Sequence, residues 1–460
     1  MEPMHSRSLL RAPVTRICCL ALLSACRTTS PSPSPAPVRA PAVAPGPIAL
    51  SAEEAKVRDY VRAHHDADIV LLERAVNISS GSQNPAGVRK VGELFGAQLA
   101  EMGFTVRMSD MPASMRRGGH LIAERVGTRG PRILLIGHLD TVFEGEGQRF
   151  VRTDSIARGA GTSDMKGGDV AMIAALRALH ATGGLDGARV TVIMTGDEEA
   201  IGTPRELARR DLIELAKRTD VALAFEGGSA RRASIARRGS SSWTLTTTAR
   251  QGHSAGIFSG GGFGAIYEAA RILDAFRREL SGDPTLTFNP GSIAGGTDIE
   301  RDSSGSMTVA GKTNIISPKA VVNGDLRFLR ESQKDSTRDR MRAIVAKNLA
   351  GSTSEITFRD GYPAMPPTAA GATLLAEFDA VSRSLGYGPV EGDPPESRGA
   401  GDISFVAPYT TGMDGLGVSG RGAHSPDESV NLNSLTMSAE RAAVFIRRLI
   451  TGARQPAPIP

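Results

Sequence analysis

Past residue 26 this 460-residue chain has no cysteine: its only three are Cys18, Cys19 and Cys26. The body therefore holds no disulfide framework, no thiolate metal site and no cysteine nucleophile. Aromatic residues make up 4% of the sequence, with a single tryptophan. They do not interleave with any basic run, so the footprint of a nucleic-acid partner is missing. The apolar run near the start, "ICCLALLSA", is too short to span a bilayer as a mature helix. Charge of one sign is also scarce. The formal net charge is +5, which argues neither for nor against an acidic partner.

What is present at the N-terminus reads as an export signal, residues 1–25, with Arg7, Arg11 and Arg16 ahead of the apolar run. The tetrapeptide "LSAC", Leu23 to Cys26, resembles a bacterial lipobox. That resemblance implies cleavage before Cys26, lipid on its sulfur, and an exported lipoprotein facing the periplasm or cell exterior, touching the membrane only through its anchor. An ordinary cleaved signal is the alternative. Cleavage removes three arginines and Glu2, leaving a formal charge of +3. Residues 26–50, rich in proline, serine and alanine, form an extended tether.

From residue 51 to 237 the pattern alternates helix and strand. "VRKVGELFGAQLAEMG" and "DVAMIAALRALHAT" carry apolar residues at helical spacing, while "RILLIG", "RVTVIMT" and "VALAF" are short apolar runs. Such alternation predicts an α/β domain around a mostly parallel sheet. Residues 238–355 read differently. "SSWTLTTTARQ", "MTVAGKTNIIS" and "AVVNGDLRFL" are strand-like, with helices at "FGAIYEAARILDAFRREL" and "STRDRMRAIVAKNLA", which predicts a smaller α+β insert. The α/β character returns over 356–460, with a strand at "DGLGVSG" and a last helix at "SAERAAVFIRRLI". One catalytic domain is thus interrupted by a second, smaller one.

In parallel α/β sheets, ligands bind beyond the carboxyl ends of the strands. The polar residues gather there. "RILLIG" is followed by His138 and Asp140, with Gly137 read as the turn out of the sheet. "VTVIMTG" precedes Asp197, Glu198 and Glu199, "VALAF" precedes Glu226, and "GLGVSG" precedes His424. Asp164 lies in the glycine-rich "GAGTSDMKGGD", ahead of a helix expected from near Asp169. Two imidazoles, several carboxylates and no thiolate suit zinc, cobalt or manganese. Five ligands are too many for one tetrahedral zinc with an open position, but they suit two ions sharing a carboxylate, the arrangement of a two-metal hydrolase. Singly, each piece has a plainer reading: His-x-Asp is a common capping pair, and Glu-Glu a common solvated loop.

With these residues in view, "GHLDTV", "GAGTSDMKGG", "TGDEEAIGT", "AFEGG" and "GRGAHSPDESV", in this order, resemble the metal-dependent exopeptidase family of glutamate carboxypeptidase, aminoacylase and succinyl-diaminopimelate desuccinylase. The likeness runs from about residue 65 to 450 and is strongest to the bacterial glutamate carboxypeptidases. It implies a zinc-exopeptidase type of catalytic domain and an insert that serves as dimerisation and lid domain. It implies two zinc ions per chain, with cobalt or manganese as alternatives: His138 and Glu226 on one, Glu199 and His424 on the other, Asp164 between them. Glu198 then matches the general base, and Asp140 the carboxylate that orients His138. In "ARQGHSAG" the family pattern makes His253 the histidine offered to a partner subunit, so that a homodimer is implied. A histidine satisfied locally in a turn is the alternative. Asn289 and Arg327 fall where glutamate carboxypeptidase holds the substrate's terminal carboxylate, and arginine's planar fork suits that task.

The resemblance therefore implies hydrolysis of an amide next to a free carboxylate, in a small peptide or N-acyl amino acid. Deacylation or dipeptide cleavage by the same site is the alternative, and a non-catalytic lipid-anchored binding protein the third reading. Two departures, an extra residue in "DEEAIGT" and a displaced proline in "NIISPKA", fall outside the proposed ligands. His64, His65, His120 and His180 read as surface residues, and the arginine pairs at 231 and 237 as a solvated linker.

Overall fold

The computed structural model describes residues 49–145, 148–302 and 306–452. The export signal 1–25, the lipid-attachment candidate Cys26 and the tether up to residue 48 lie outside the described residues. The principal strands are β1 (Thr105–Ser109), β2 (His120–Arg125), β3 (Arg129–His138), β4 (Ala188–Thr195), β5 (Val221–Ala224), β6 (Gly239–Ala249), β7 (Thr287–Gly296), β8 (Lys319–Phe328), β9 (Ser352–Asp360) and β10 (Thr411–Met413).

Six of them form one twisted sheet in the order β1-β2-β4-β3-β5-β10. β4, β3, β5 and β10 run parallel to one another, and the β1–β2 and β2–β4 pairings are antiparallel. The sheet is therefore mixed, with its parallel part running from β4 to the β10 edge and its antiparallel part at the β1 edge. The continuous apolar run in β3 follows from burial on both faces. Ile133 and Leu135 point to a core closed by the helices Lys166–Ala181 and Leu432–Thr451. Leu134 and Ile136 point to the opposite layer, with Leu212, Leu215 and Phe405.

The second sheet, β7-β8-β6-β9, is antiparallel throughout. Along β6 buried residues alternate with half-buried ones. Trp243 and Leu245 pack on Ile272 and Phe276 of helix Gly264–Leu280 and Met341 of helix Glu331–Val345. Opposite Trp243 stands Gly324, where a Cβ would come within 2.1 Å of the indole.

Several local expectations change. Gly137 is not a turn but lies within β3, and a Cβ there would sit 2.0 Å from Asp169 Oδ1. The expected strand at "GLGVSG" is irregular, the sheet strand being β10 just before it. "MTVAGKTNIIS" splits into Met307–Ala310 and Ile315–Ile316, which pair in different ribbons. The helix expected near Asp169 begins at Lys166, and β9 runs through the expected boundary at 355. His120 is buried: its Nδ1 accepts from the Gly196 amide at 3.2 Å and its Nε2 donates to the Ala208 carbonyl at 2.9 Å. Arg237, expected in solvent, is buried against Asp414 at 2.6 Å.

Candidate metal centre and active site

The ends of β3, β4 and β5 lie side by side, and the groups that follow them meet. His138 closes β3 and is almost fully buried, with Nδ1 3.0 Å from the Asp140 carbonyl oxygen. Its Nε2 faces Asp164 Oδ1 at 3.3 Å and Glu226 Oε1 at 3.5 Å. His424 follows a short hairpin strand and adopts φ 64°, left-handed backbone that histidine tolerates better than most residues. Its Nε2 faces Asp164 Oδ2 at 3.1 Å and Glu199 Oε2 at 3.2 Å. The two oxygens of Asp164 thus address two different imidazoles, each with a glutamate beside it. Ligand atoms of His138, Glu198 and Glu226 lie within 4.8 Å of one another, as do those of His138, Asp164 and Glu199.

The electrostatics are those of a site crowded with anions. Burial, reinforced by neighbouring carboxylates, pushes Glu199 up to about 8, Glu226 up to about 7 and Glu198 well above the usual carboxylate range. Burial also opposes charge on His138, yet Glu226, Asp140 and Asp164 outweigh it and hold that imidazole well above its ordinary value. His424 is raised to about 9, chiefly through its hydrogen bond with Asp164. Glu199 Oε1 is buried with no hydrogen-bond partner among the described residues. An orphaned carboxylate oxygen amid imidazole nitrogens and hard oxygen donors fits divalent zinc, cobalt or manganese. Such cations would relieve the repulsion that raises these proton affinities. The cavity over the cluster measures about 390 Å³ and is walled by Asp164, Glu198, Glu199, Glu226, His424 and Arg398 among others.

Residues 134–448 match the peptidase family M20/M25/M40. The chain belongs to that family. It is 28% identical over 404 residues to carboxypeptidase G2 of Pseudomonas sp. (strain RS-16), covering 84% of this chain and 90% of that protein. To succinyl-diaminopimelate desuccinylase of Alkalilimnicola ehrlichii it is 27% identical over 348 residues, 71% of this chain and 86% of the relative. In fold it resembles aminopeptidase PepT from Bacillus cereus, with a TM-score of 0.67 at 18% identity, covering 84% of this chain and 98% of that one. A dinuclear metal-binding peptidase of the M20 family from Bacillus subtilis aligns with a TM-score of 0.58 at 15% identity, over 85% and 99% of the two chains. This chain is a metallopeptidase of the M20 family.

Within this M20 peptidase some residues do more than their motifs announced. The Asp140 carboxylate lies 3.5 Å from His138 Nδ1, and it also accepts the Glu198 and Glu199 amides at 3.0 Å each and the Ser82 hydroxyl at 2.6 Å. It therefore ties the loop after β4 to the end of β3. Glu428 was not singled out in the sequence. Its carboxylate accepts the amides of Gly161, Ser163 and Asp164 at 2.7–2.9 Å and so fixes the loop that presents Asp164. Tyr362, also unforeseen, donates to Glu198 at its carbonyl, 2.8 Å, and its Oε1, 3.2 Å. Asp197 turns away from the cluster into a buried pair with Arg209, which in turn binds Asp402.

The three candidates on the insert do not line this cavity. His253 is exposed, with Nδ1 accepting from the Ala255 amide at 3.2 Å. Asn289 on β7 pairs with Asp325 on β8, which places it on the same face as Arg327, two residues along. Arg327 is held by Asp325 at 2.7 Å.

Proposed function

We propose that the chain is a dinuclear zinc-dependent exopeptidase that hydrolyses an amide beside a free carboxylate and releases a C-terminal amino acid, as glutamate carboxypeptidases do. The observation that carries this reading is the Asp164 carboxylate shared between His138 and His424, with Glu226 and Glu199 as the flanking donors. His138, Glu226, Asp164, Glu199 and His424 would hold the ions, which when bound supply Lewis acidity toward the scissile carbonyl and toward water. Glu198 lies in the same cavity wall and has the raised proton affinity a general base needs. It takes the proton of the attacking water and passes it to the leaving nitrogen. Tyr362 fixes the side chain of this base. His253 serves the partner subunit's site in a homodimer by polarising the developing oxyanion, and Asn289 with Arg327 receives the substrate's terminal carboxylate.

A second reading, deacylation of N-acyl amino acids, is favoured by the 27% identity to a desuccinylase. A panel of glutamyl peptides, N-acyl amino acids and plain dipeptides separates the two. In either case Glu198→Gln lowers kcat by roughly a thousandfold, while elemental analysis still finds two metal ions per chain. Retained turnover in that variant would remove Glu198 as the base.

A further inference from the structure

The chain enters the insert at β6 and leaves it after β9, and the two crossings run side by side. Arg237 and Met365 exchange backbone hydrogen bonds, 2.9 Å in each direction. Further along, Ser240 grips Tyr362 at both backbone groups: its amide donates to the Tyr362 carbonyl at 2.9 Å, and its Oγ accepts from the Tyr362 amide at 3.0 Å. The Ser240 carbonyl also accepts from the Gly361 amide at 2.9 Å. The joint is tight. A Cβ on Gly361 would lie 2.2 Å from Ser240 Oγ, and one on Gly239 would lie 2.5 Å from the Phe328 ring and 2.8 Å from the Ala364 nitrogen. Tyr362 is thus fixed by its backbone to the start of the inserted sheet, while its hydroxyl reaches Glu198.

The ring of Tyr362 belongs to the catalytic side of this joint. It packs on Phe405 with centroids 5.2 Å apart, and Arg209, whose guanidinium holds Asp197, lies 5.6 Å over the same Phe405. Beside the ring a cavity of about 230 Å³ separates Phe328 and Lys334 of the insert from Ile213 and Arg205 of the catalytic domain. The two bodies are not fully packed together here, so a shift of the insert is taken up in its linkers and Tyr362 moves with them. That matters for the base, because misplacing a reacting group by about 1 Å costs roughly a hundredfold in rate. The hydroxyl bonds both the carbonyl and Oε1 of Glu198, which locks that side chain to its own backbone. We propose that Tyr362 is a positioning residue through which the seating of the insert sets the side chain of the base. The proposal rests on Glu198 as the base and gives Tyr362 no contact with substrate. With the insert seated the hydroxyl holds the carboxylate; with the insert shifted the hydroxyl withdraws and the carboxylate is free to turn.

Tyr362→Phe keeps the ring on Phe405 and removes only the hydroxyl. In the metal-loaded enzyme it should lower kcat by about tenfold to a hundredfold, with KM within about twofold of the wild type. Ser240→Ala loosens the linker without touching Glu198. It should lower kcat severalfold when Tyr362 is intact, and by less than about twofold in the Tyr362→Phe background, because the two act through one hydroxyl. The chain has five tyrosines, so labelling with 3-fluorotyrosine reads the contact without turnover: the fluorine resonance lost in Tyr362→Phe should shift in Ser240→Ala and in Glu198→Gln. A wild-type kcat in Tyr362→Phe, or equal losses from Ser240→Ala in the two backgrounds, overturns the coupling. Full turnover in Glu198→Gln with both fluorine shifts present would sink the base and leave the coupling standing. An inactive Glu198→Gln with no fluorine shift in Ser240→Ala would do the reverse.

Discussion

The loops around the central sheet and the inserted sheet both carry candidate residues, yet only the first set converges. His138 at the end of β3 and Asp164, Glu199, Glu226 and His424 from four separate loops meet within about 3.5 Å of one another's partners. Asn289 and Arg327 sit together on one small antiparallel sheet and, like His253 near it, do not line the cavity. The difference follows from topology. Adjacent parallel strands end at one edge, so side chains just after them are brought together whatever their separation in sequence. Residues on an insert act on the site only through the placement of the insert, or through a second copy.

The largest effect that could break this contrast belongs to His253. Replacing it with alanine should lower kcat by roughly a hundredfold to a thousandfold if it stabilises an oxyanion, even though it lies outside the cavity of its own chain. Co-expression of His253→Ala with Glu198→Gln then decides where it acts. A mixed dimer holds one site with an intact base and the partner's intact histidine, so activity should recover to about a quarter of the wild-type level. No recovery would mean that His253 works within its own chain, and full activity of His253→Ala alone that it has no part in the reaction.

Asp140 sharpens the comparison from the other side, because it is wholly buried beside the cluster and has several partners. Asp140→Asn keeps the shape but presents an amide N–H2 or a weaker acceptor to the Glu198 and Glu199 amides, the Ser82 hydroxyl and His138. Activity should drop about tenfold to a hundredfold, with metal content in the purified protein close to that of the wild type. A loss of a whole ion would show that Asp140 holds the cluster together rather than tuning it.

Much of the first region was legible because its signals are local. An apolar run buried on both faces stands out in sequence, and so does a polar residue just beyond it, which is why β3, β4 and β5 and the polar residues that follow them could be placed. The fourth strand end was misplaced because β10 is only three residues long, with a glycine at its centre, and the apolar residues after it are buried without being strand. Glu428 and Tyr362 were silent for another reason. Glu428 works by accepting backbone amides of a loop far away in sequence, and Tyr362 by donating to a glutamate, and neither pattern leaves a mark in the residues nearby. Arg237 looked like a solvated charge because its counter-charge, Asp414, is remote in the chain and next to it only in the fold. The insert was legible as strands and helices, but His253, Asn289 and Arg327 became site candidates only through the family resemblance, since nothing in the insert's own sequence says where it docks.

The smallest expected effect is a slope. In the metal-free protein Glu226, Glu199 and His424 hold their protons up to about 7, 8 and 9. A metal ion requires each of them deprotonated, so protons compete with it throughout that range. All three shifts have the same sign: at lower pH more protons must be displaced and binding weakens, and as pH rises through these values the competition fades. The rise in melting temperature on adding a fixed excess of cobalt should therefore grow between about pH 6 and pH 8. Glu199→Gln removes one competing proton and should flatten the slope while weakening binding overall, whereas Arg327→Gln, on the inserted sheet, should leave the slope as it is. A stabilisation that is flat across this interval would mean that the crowding of carboxylates around Asp164 is not what prepares the cluster for metal.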